Sequence, residues 1–231
     1  MISIFTLTLG RELYLEQQIK SILAFAGSFD FEHVICFQGT SPSGKLKAFF
    51  ESLPPQYNLR VKAWEKNYGK GLAINKISPE LQGKLILKLD DDMALRAPDF
   101  IPHLNTIHEL LPNHVLSPFP VGLIANLGGP RSDQRFIRYS KITDTFYTLR
   151  TVDYVGGGAR VTPAHIMRNF TWPDEQSPEV KIKNEDWHFS MYCRENNIPM
   201  AYLENALIVE HQESTLGQSC RYGQKYKGKF G

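Results

Sequence analysis

The sequence predicts an α/β fold organised on a doubly wound, mostly parallel sheet. Three observations carry that prediction. Short apolar, β-rich runs alternate with helix-periodic segments over residues 2–89, the pattern of parallel strands joined by right-handed crossovers. The fourth run, Leu85–Leu89, is long enough for one buried strand and too short for a typical helix. That run stops at Asp90, Asp91 and Asp92, and in open α/β sheets ligands bind beyond the carboxyl ends of the strands.

The elements follow in order. Ile2–Thr8 starts at once as a β-rich run, a central strand ended by Gly10 and Arg11. A helix is predicted over Glu12–Ala26, with Leu15, Ile19, Ile22, Leu23 and Ala26 on one face, stopped by Gly27. His33–Phe37 is a second strand ending in Gln38. Ser43 caps a short helix over Lys45–Leu53, closed by Pro54 and Pro55. Leu59–Trp64 is the third strand, and the turn Asn67–Gly71 leads into a helix carrying Leu72, Ala73 and Asn75. By the switch-point rule, Thr6–Thr8, Gln38 and Asp90–Asp92 then gather along one rim.

The second half is more mixed. Helices are expected over Asp99–Leu111, over Ala164–Phe170 after a start at Thr162-Pro163, and over Glu185–Asn196 capped by Asn184. Strands are expected over Val115–Ile124 (interrupted by Pro118 and Pro120), Thr145–Val155, Ala201–Leu203 and Ala206–Val209. Gly156–Gly158 follows the second of these directly. The polar, Gly-bearing stretch Ala125–Ser140 reads as a mobile loop or lid. Trp172–Lys183 reads as a loop whose Trp172 either stacks on a sugar ring or covers the core.

Composition bounds the function. The chain has 231 residues, 42% hydrophobic and 22% charged, with net charge +2, which suits one globular domain and gives no argument for a nucleic-acid partner. The stretch Arg221–Gly231 holds Arg221, Lys225, Lys227 and Lys229 and no acid; taking its four cations from the +2 total leaves −2 elsewhere. Three scattered cysteines, Cys36, Cys193 and Cys220, lack metal-type spacing and read as free thiols in a reducing compartment. With no membrane-length apolar run and no signal-type N-terminus, a soluble cytoplasmic protein is expected.

Several residues carry candidate chemistry. Three adjacent like charges repel unless a cation or solvent compensates them, so Asp90–Asp92 reads either as a hard-cation site for Mn²⁺ or Mg²⁺ or as a solvated acidic turn. Glu185-Asp186, at a predicted helix start, is either a general base or simply the acid a helix dipole favours there. His211, ending an apolar strand run, is a metal ligand or a structural histidine. Lys70, at a Gly-flanked helix start, meets a phosphate or is a surface lysine. Gly156–Gly158 lets a ligand approach the backbone or makes a loop.

Taken together, these features resemble the family 2 glycosyltransferases with a GT-A fold. The opening strand and turn Ile2–Arg11, the helix start Asn67–Asn75, Leu89–Asp92 at the place of the DxD motif, Gly156–Gly158, Glu185-Asp186 and His211 match that family's motifs in order and rough spacing. The opening turn departs from the pattern in lacking its Pro and Tyr, and Gln38 stands where an Asp commonly meets base and ribose. The Gln-x-x-Arg-Trp element of processive polymerases is absent.

The resemblance implies a single GT-A-type domain over 1–215, with a nucleotide-binding half (1–98), an acceptor-binding half (99–215) and a basic tail (216–231). It implies metal-dependent, inverting transfer of one sugar from a nucleotide-diphosphate sugar, a UDP-sugar, to a glycan, lipid-linked or protein hydroxyl. Thr6, Leu7, Thr8, Gln38, Asn67, Lys70, Asp90, Asp91 and Gly157 would bind the nucleotide-sugar. Asp92 and His211 would hold the metal. Asp186 would be the base and Glu185 its orienting partner. The basic tail reads as a solvated end, a peripheral contact with anionic lipid, or a guide for a phosphate-bearing acceptor. A sugar nucleotidyltransferase and a non-catalytic nucleotide-sugar binding module are the competing readings; the single Gly between Thr6 and Arg11 counts against the former.

Overall fold

The computed structural model describes residues 1–121, 134–174 and 185–212. Its strands are β1 (Ile2–Thr8), β2 (Phe31–Gln38), β3 (Asn58–Trp64), β4 (Leu85–Leu89), β5 (Met93–Leu95), β6 (Val115–Ser117), β7 (Phe119–Val121), β8 (Arg135–Ser140), β9 (Thr145–Thr151), β10 (Ala159–Pro163), β11 (Met200–Leu203) and β12 (Ile208–His211). Its helices are α1 (Glu12–Phe25), α2 (Gly44–Glu51), α3 (Gly69–Ile77), α4 (Phe100–Leu110), α5 (Ala164–Asn169) and α6 (Glu185–Glu195). A single 3₁₀ turn, Ser78–Glu80, follows α3.

The main sheet runs β3-β2-β1-β4-β10-β6-β11-β9-β8. The first four strands are mutually parallel, as the alternation in the sequence predicts. From β1 the chain winds outward to β2 and β3, then returns to β4 on the other side of β1. The strand order therefore reverses between β1 and β4, and in open α/β sheets ligands bind beyond the carboxyl ends of the strands at such a reversal. A second sheet, β5-β12-β7, packs beside the first.

Period-2 alternation explains the layering. Ile2 and Ile4 of β1 and Leu85, Leu87 and Leu89 of β4 face a core shared with Leu15, Ile19 and Ile22 of α1 and Phe100, Leu104 and Ile107 of α4. Phe5, Leu7 and Ile86 face the other core, with Ala73, Ile74 and Ile77 of α3, Met167 of α5 and Phe189 of α6. Ser43 caps α2, accepting a hydrogen bond from the Leu46 amide at 3.2 Å. Gly27 ends α1 at a φ of +74°, where a side chain would also overlap Asp99.

The second half corrects several expectations. The segment read as one strand over Val115–Ile124 is split at Pro118 between the two sheets: β6 joins the main sheet and β7 the small one. Arg135–Ser140, read as part of a lid, is the edge strand β8, zipped antiparallel to β9. Ala159–Pro163, of which the sequence marks only Thr162-Pro163, as a helix start, is β10, inserted antiparallel between β4 and β6. Its buried Arg160 hid the strand, because a charge breaks the apolar alternation that marks one. Gly156–Gly158 thus precedes a strand, β10, by the shortest route. Trp172, 1% exposed, covers the core and is not open to a sugar. The Asn184 cap, the rest of the proposed lid, most of the Trp172–Lys183 loop, Cys220 and the basic tail lie outside the described residues. Among the described residues no helix is long and apolar enough to cross a membrane.

Candidate active site

The acidic triplet turns tightly, with the Asp90 carbonyl accepting from the Met93 amide at 2.9 Å. The turn sends its carboxylates to two different neighbourhoods. Asp91 and Asp92 face the α1 side of the rim. Asp90 faces the α3 and α6 side, on the same face of the chain as Lys88.

On the first side, β1 ends against the triplet. The Thr8 hydroxyl donates to Asp91 Oδ2 at 2.7 Å. Arg11, just past the strand, forks across both acids: Nε donates to Asp91 Oδ2 at 3.2 Å and Nη1 to Asp92 Oδ2 at 2.8 Å, while Nη2 also pairs with Asp91 Oδ1. Burial and both carboxylates act on Arg11, and the two acids win, holding its pKa above the ordinary value. Burial keeps the Asp91 carboxyl above its usual range despite Arg11 and Thr8. His211 arrives by pairing of strands: β12 runs antiparallel to β5, placing His211 opposite Met93, and its Nε2 lies 3.4 Å from Asp92 Oδ2. Burial pushes Asp92 up, but the hydrogen bond with His211, helped by Arg11, holds it below the usual carboxylate range.

On the second side, Asp90 is the acid shared by two lysines. Lys88 Nζ lies 2.6 Å from Oδ1 and Lys70 Nζ 3.1 Å from Oδ2. Burial raises the Asp90 carboxyl, and the two lysines outweigh it and hold it well below the usual range. Lys70 reaches on to Glu185, 3.6 Å away, and its own pKa is raised, chiefly by Asp90. Lys88 also donates to the carbonyl of Gly157, and the Asp90 amide donates to the carbonyl of Gly158 at 2.8 Å. The glycine loop is thereby strapped to the end of β4.

Glu185 and Asp186 open α6 and are 6% and 8% exposed. Asp186 packs on Gly157 so closely that a Cβ there would overlap its carboxylate. Its Oδ1 accepts from Nη1 of Arg160 at 3.2 Å. Burial and the neighbouring Glu185 raise the Asp186 carboxyl, with Arg160 opposing them. A raised carboxylate pKa is what a general base requires.

The structure therefore gathers Thr8, Asp90, Asp91, Asp92, His211, Lys70, Gly157, Glu185 and Asp186 around the carboxyl end of β4. Four expected residues sit differently. Thr6 is wholly buried, its hydroxyl donating to Gln18 Oε1 at 2.9 Å; Leu7 belongs to the α3-side core. Gln38 spends its Oε1 on the Tyr68 amide at 3.1 Å, fixing the turn before α3. Asn67 accepts from the Gly69 amide at 2.8 Å in that same turn. Arg11, Lys88 and Arg160 were not among the expected site residues. One signal for Lys88 was present: a lysine inside an apolar strand, two residues before an acid on the same face. Arg160 had no such signal.

Asp92 and His211 supply an oxygen and an imidazole nitrogen, donors that Mn²⁺ accepts. Among the described residues no three His, Cys, Asp or Glu side chains are grouped so that they could hold a metal ion, so a cation held here would complete its shell with the ligand's own oxygens and water. The donor set thus fits a metal shared with a diphosphate.

The sequence matches the family model described as Glycosyl transferase family 2 over residues 3–167. Among solved structures, S. aureus TarS 1-349 is 18% identical with a TM-score of 0.64, covering 94% of this chain and 62% of that one. The same protein in complex with UDP-GlcNAc gives 17% identity and 0.66 over 90% and 57%. GalNAc-T7 with UDP, GalNAc and Mn²⁺ gives 11% and 0.68 over 91% and 43%. The chain spans less than two thirds of each of these structures. No curated protein matches the sequence significantly. These likenesses show the fold, which is of the GT-A type. With more than half of its length under the family model, the chain belongs to glycosyl transferase family 2.

Proposed function

We propose that this chain transfers a single sugar from a UDP-sugar to a hydroxyl acceptor, with inversion and with the help of Mn²⁺ or Mg²⁺. One observation carries the reading: Asp92 with His211 lies on one side of the triplet, and Asp186 lies on the other, beside Glu185, which Lys70 ties to Asp90. That separation divides the work between holding a leaving group and removing a proton. Two of the similar structures, TarS with UDP-GlcNAc and GalNAc-T7 with UDP, GalNAc and Mn²⁺, carry the ligands that this division of work anticipates.

Asp92 and His211 would hold the cation, which as a Lewis acid offsets the charge that gathers on a departing diphosphate. Asp186 accepts the proton of the acceptor hydroxyl. The hydroxyl oxygen then bonds to the anomeric carbon from the face opposite the diphosphate. The bond from that carbon to the phosphate oxygen breaks, and its electron pair leaves with the nucleoside diphosphate. Glu185 and Lys70 hold the start of α6 against Asp90, so the base keeps its place beside the donor site. Gly157, without a side chain, leaves room for Asp186 to lie against the backbone. Thr8, Asp91 and Arg11 fix the rim of β1 that would border the nucleoside. The acceptor is a glycan, a lipid-linked sugar or a protein hydroxyl.

A panel of nucleotide-sugars tests the proposal, with and without Mn²⁺, by thermal stabilisation and by hydrolysis. Binding to the native state raises stability by mass action. A Mn²⁺-dependent shift with UDP-sugars is expected; no shift with any nucleotide-sugar would overturn the reading.

A further inference from the structure

Arg160 is fully buried, the second residue of β10, in contact with Asp186 and Phe189 of α6. A guanidinium has five N–H donors. Here Nη1 alone makes a hydrogen bond, to Asp186 Oδ1 at 3.2 Å. Nε and Nη2 have no partner among the described residues. In place of water, the cation lies against two rings, 4.7 Å from the centroid of Trp172 and 4.3 Å from that of Phe189. Those rings stack on one another at 4.9 Å.

This is an expensive way to build a strand. Burying a guanidinium with unspent donors costs stability, and an apolar residue of similar volume is often as good or better in such a place. Cation–π attraction recovers only part of the loss. The paired register adds a second oddity: Arg160 sits directly opposite Lys88, so two buried cations stand side by side on adjacent strands. Each has a different acid, Lys88 taking Asp90 and Arg160 taking Asp186. The arrangement is costly for folding and specific for one oxygen of one carboxylate.

We propose that Arg160 is a positioning residue for Asp186: an internal cation, walled by Trp172 and Phe189, that fixes Oδ1 and leaves Oδ2 to meet the acceptor hydroxyl. The inference rests on reading Asp186 as the base. Among the described residues, the charged and titratable groups around that carboxylate are Glu185 beside it on α6, Arg160 on β10, Lys88 on β4, Lys70 on α3 and Tyr202 on β11. Burial and Glu185 favour the protonated acid, and Arg160 is the cation in direct contact that opposes them. Trp172, open in the sequence to a role in sugar stacking, becomes part of the wall.

The test uses the full chain. The Asp186 carboxyl carbon is followed by ¹³C NMR against pH and assigned by its loss in Asp186→Asn. In Arg160→Met the titration midpoint is expected to rise by about one pH unit or more. An unchanged midpoint overturns the proposal. Arg160→Lys keeps the charge and loses the fork that aims at Oδ1. It is expected to bind UDP with Mn²⁺ as the parent does and to transfer sugar about tenfold more slowly or worse. A parental transfer rate in Arg160→Lys overturns the proposal even if Arg160→Met does not fold. Asp186→Asn separates the two readings: if that variant still transfers sugar, the assignment of the base falls, while the titration still reports whether Arg160 governs Asp186.

Discussion

Asp186 lies against the backbone of Gly157, with no space for a side chain between them. The carboxylate cannot yield easily, since Arg160 holds its Oδ1. Gly157→Ala is therefore expected to displace the base. Transfer should fall about 100-fold, since small misplacements of reacting groups carry penalties of that order. Binding of UDP with Mn²⁺ should change little. Steady-state kinetics beside calorimetric titration of UDP checks this, and parental turnover would refute the packing argument.

Asp92→Ala and His211→Ala each remove one of two proposed protein ligands. Both are expected to weaken Mn²⁺-supported binding of UDP by at least about tenfold. Binding measured in EDTA should be the same in both variants and in the parent. Isothermal titration with and without Mn²⁺ reads the difference. Equal metal dependence in all three proteins would rule these residues out as ligands.

Lys88 is 2% exposed and paired with Asp90. Removing one partner of a buried pair leaves the other uncompensated. Lys70 remains on Asp90, so Lys88→Met should cost about 3 kcal/mol, the lower end of the usual range. Removing the acid as well, in Lys88→Met with Asp90→Asn, should recover part of that. Urea denaturation of the two variants measures it, and a double variant no more stable than the single one would contradict the pairing.

His33 is fully buried between Thr6, 3.2 Å from its Nε2, and Tyr57, 2.8 Å from its Nδ1. Burial lowers its pKa from 6.5 to about 3. Below pH 6.5 the unfolded chain takes up a proton that the folded chain refuses. Stability then falls as pH falls, by about 1.4 kcal/mol per pH unit from this group. The contribution is absent above pH 6.5 and complete near pH 3. Unfolding free energies are measured between pH 7 and pH 5, above most carboxylate titrations, where His103, His108 and His114, also lowered by burial, add slope of the same sign; the difference between the parent and a His33 variant isolates its share. His33→Gln should flatten the profile in that window, and an unaltered slope would assign the dependence elsewhere.

Much of the first half was legible in the sequence, because its signals are local. β1, β3 and β4 and the helices between them follow from apolar runs, helical spacing and the Ser43 cap. Thr8 and Asp90–Asp92 fall on one rim because parallel strands in this order end together. The second half was less legible, because its signals are masked locally. β10 hides behind Arg160; β8 is polar and exposed because it is an edge; Pro118 looks like an interruption and is the point where the chain changes sheets.

By itself the sequence determined which groups are available: three acids at the end of a strand, an acid pair at the start of a helix, a histidine at the end of another strand. Strand pairing decided which of them meet. His211 reaches Asp92 because β12 pairs with β5, more than a hundred residues earlier. The triplet, one run of like charge in the sequence, is divided by the turn after β4: Asp91 and Asp92 go to Arg11 and His211, and Asp90 to Lys70 and Lys88. Arg160 gains its partner only when β10 is threaded beside β4 under α6. Local preferences are written residue by residue, whereas a buried charge finds its counter-charge across the chain, where no spacing in the sequence records it.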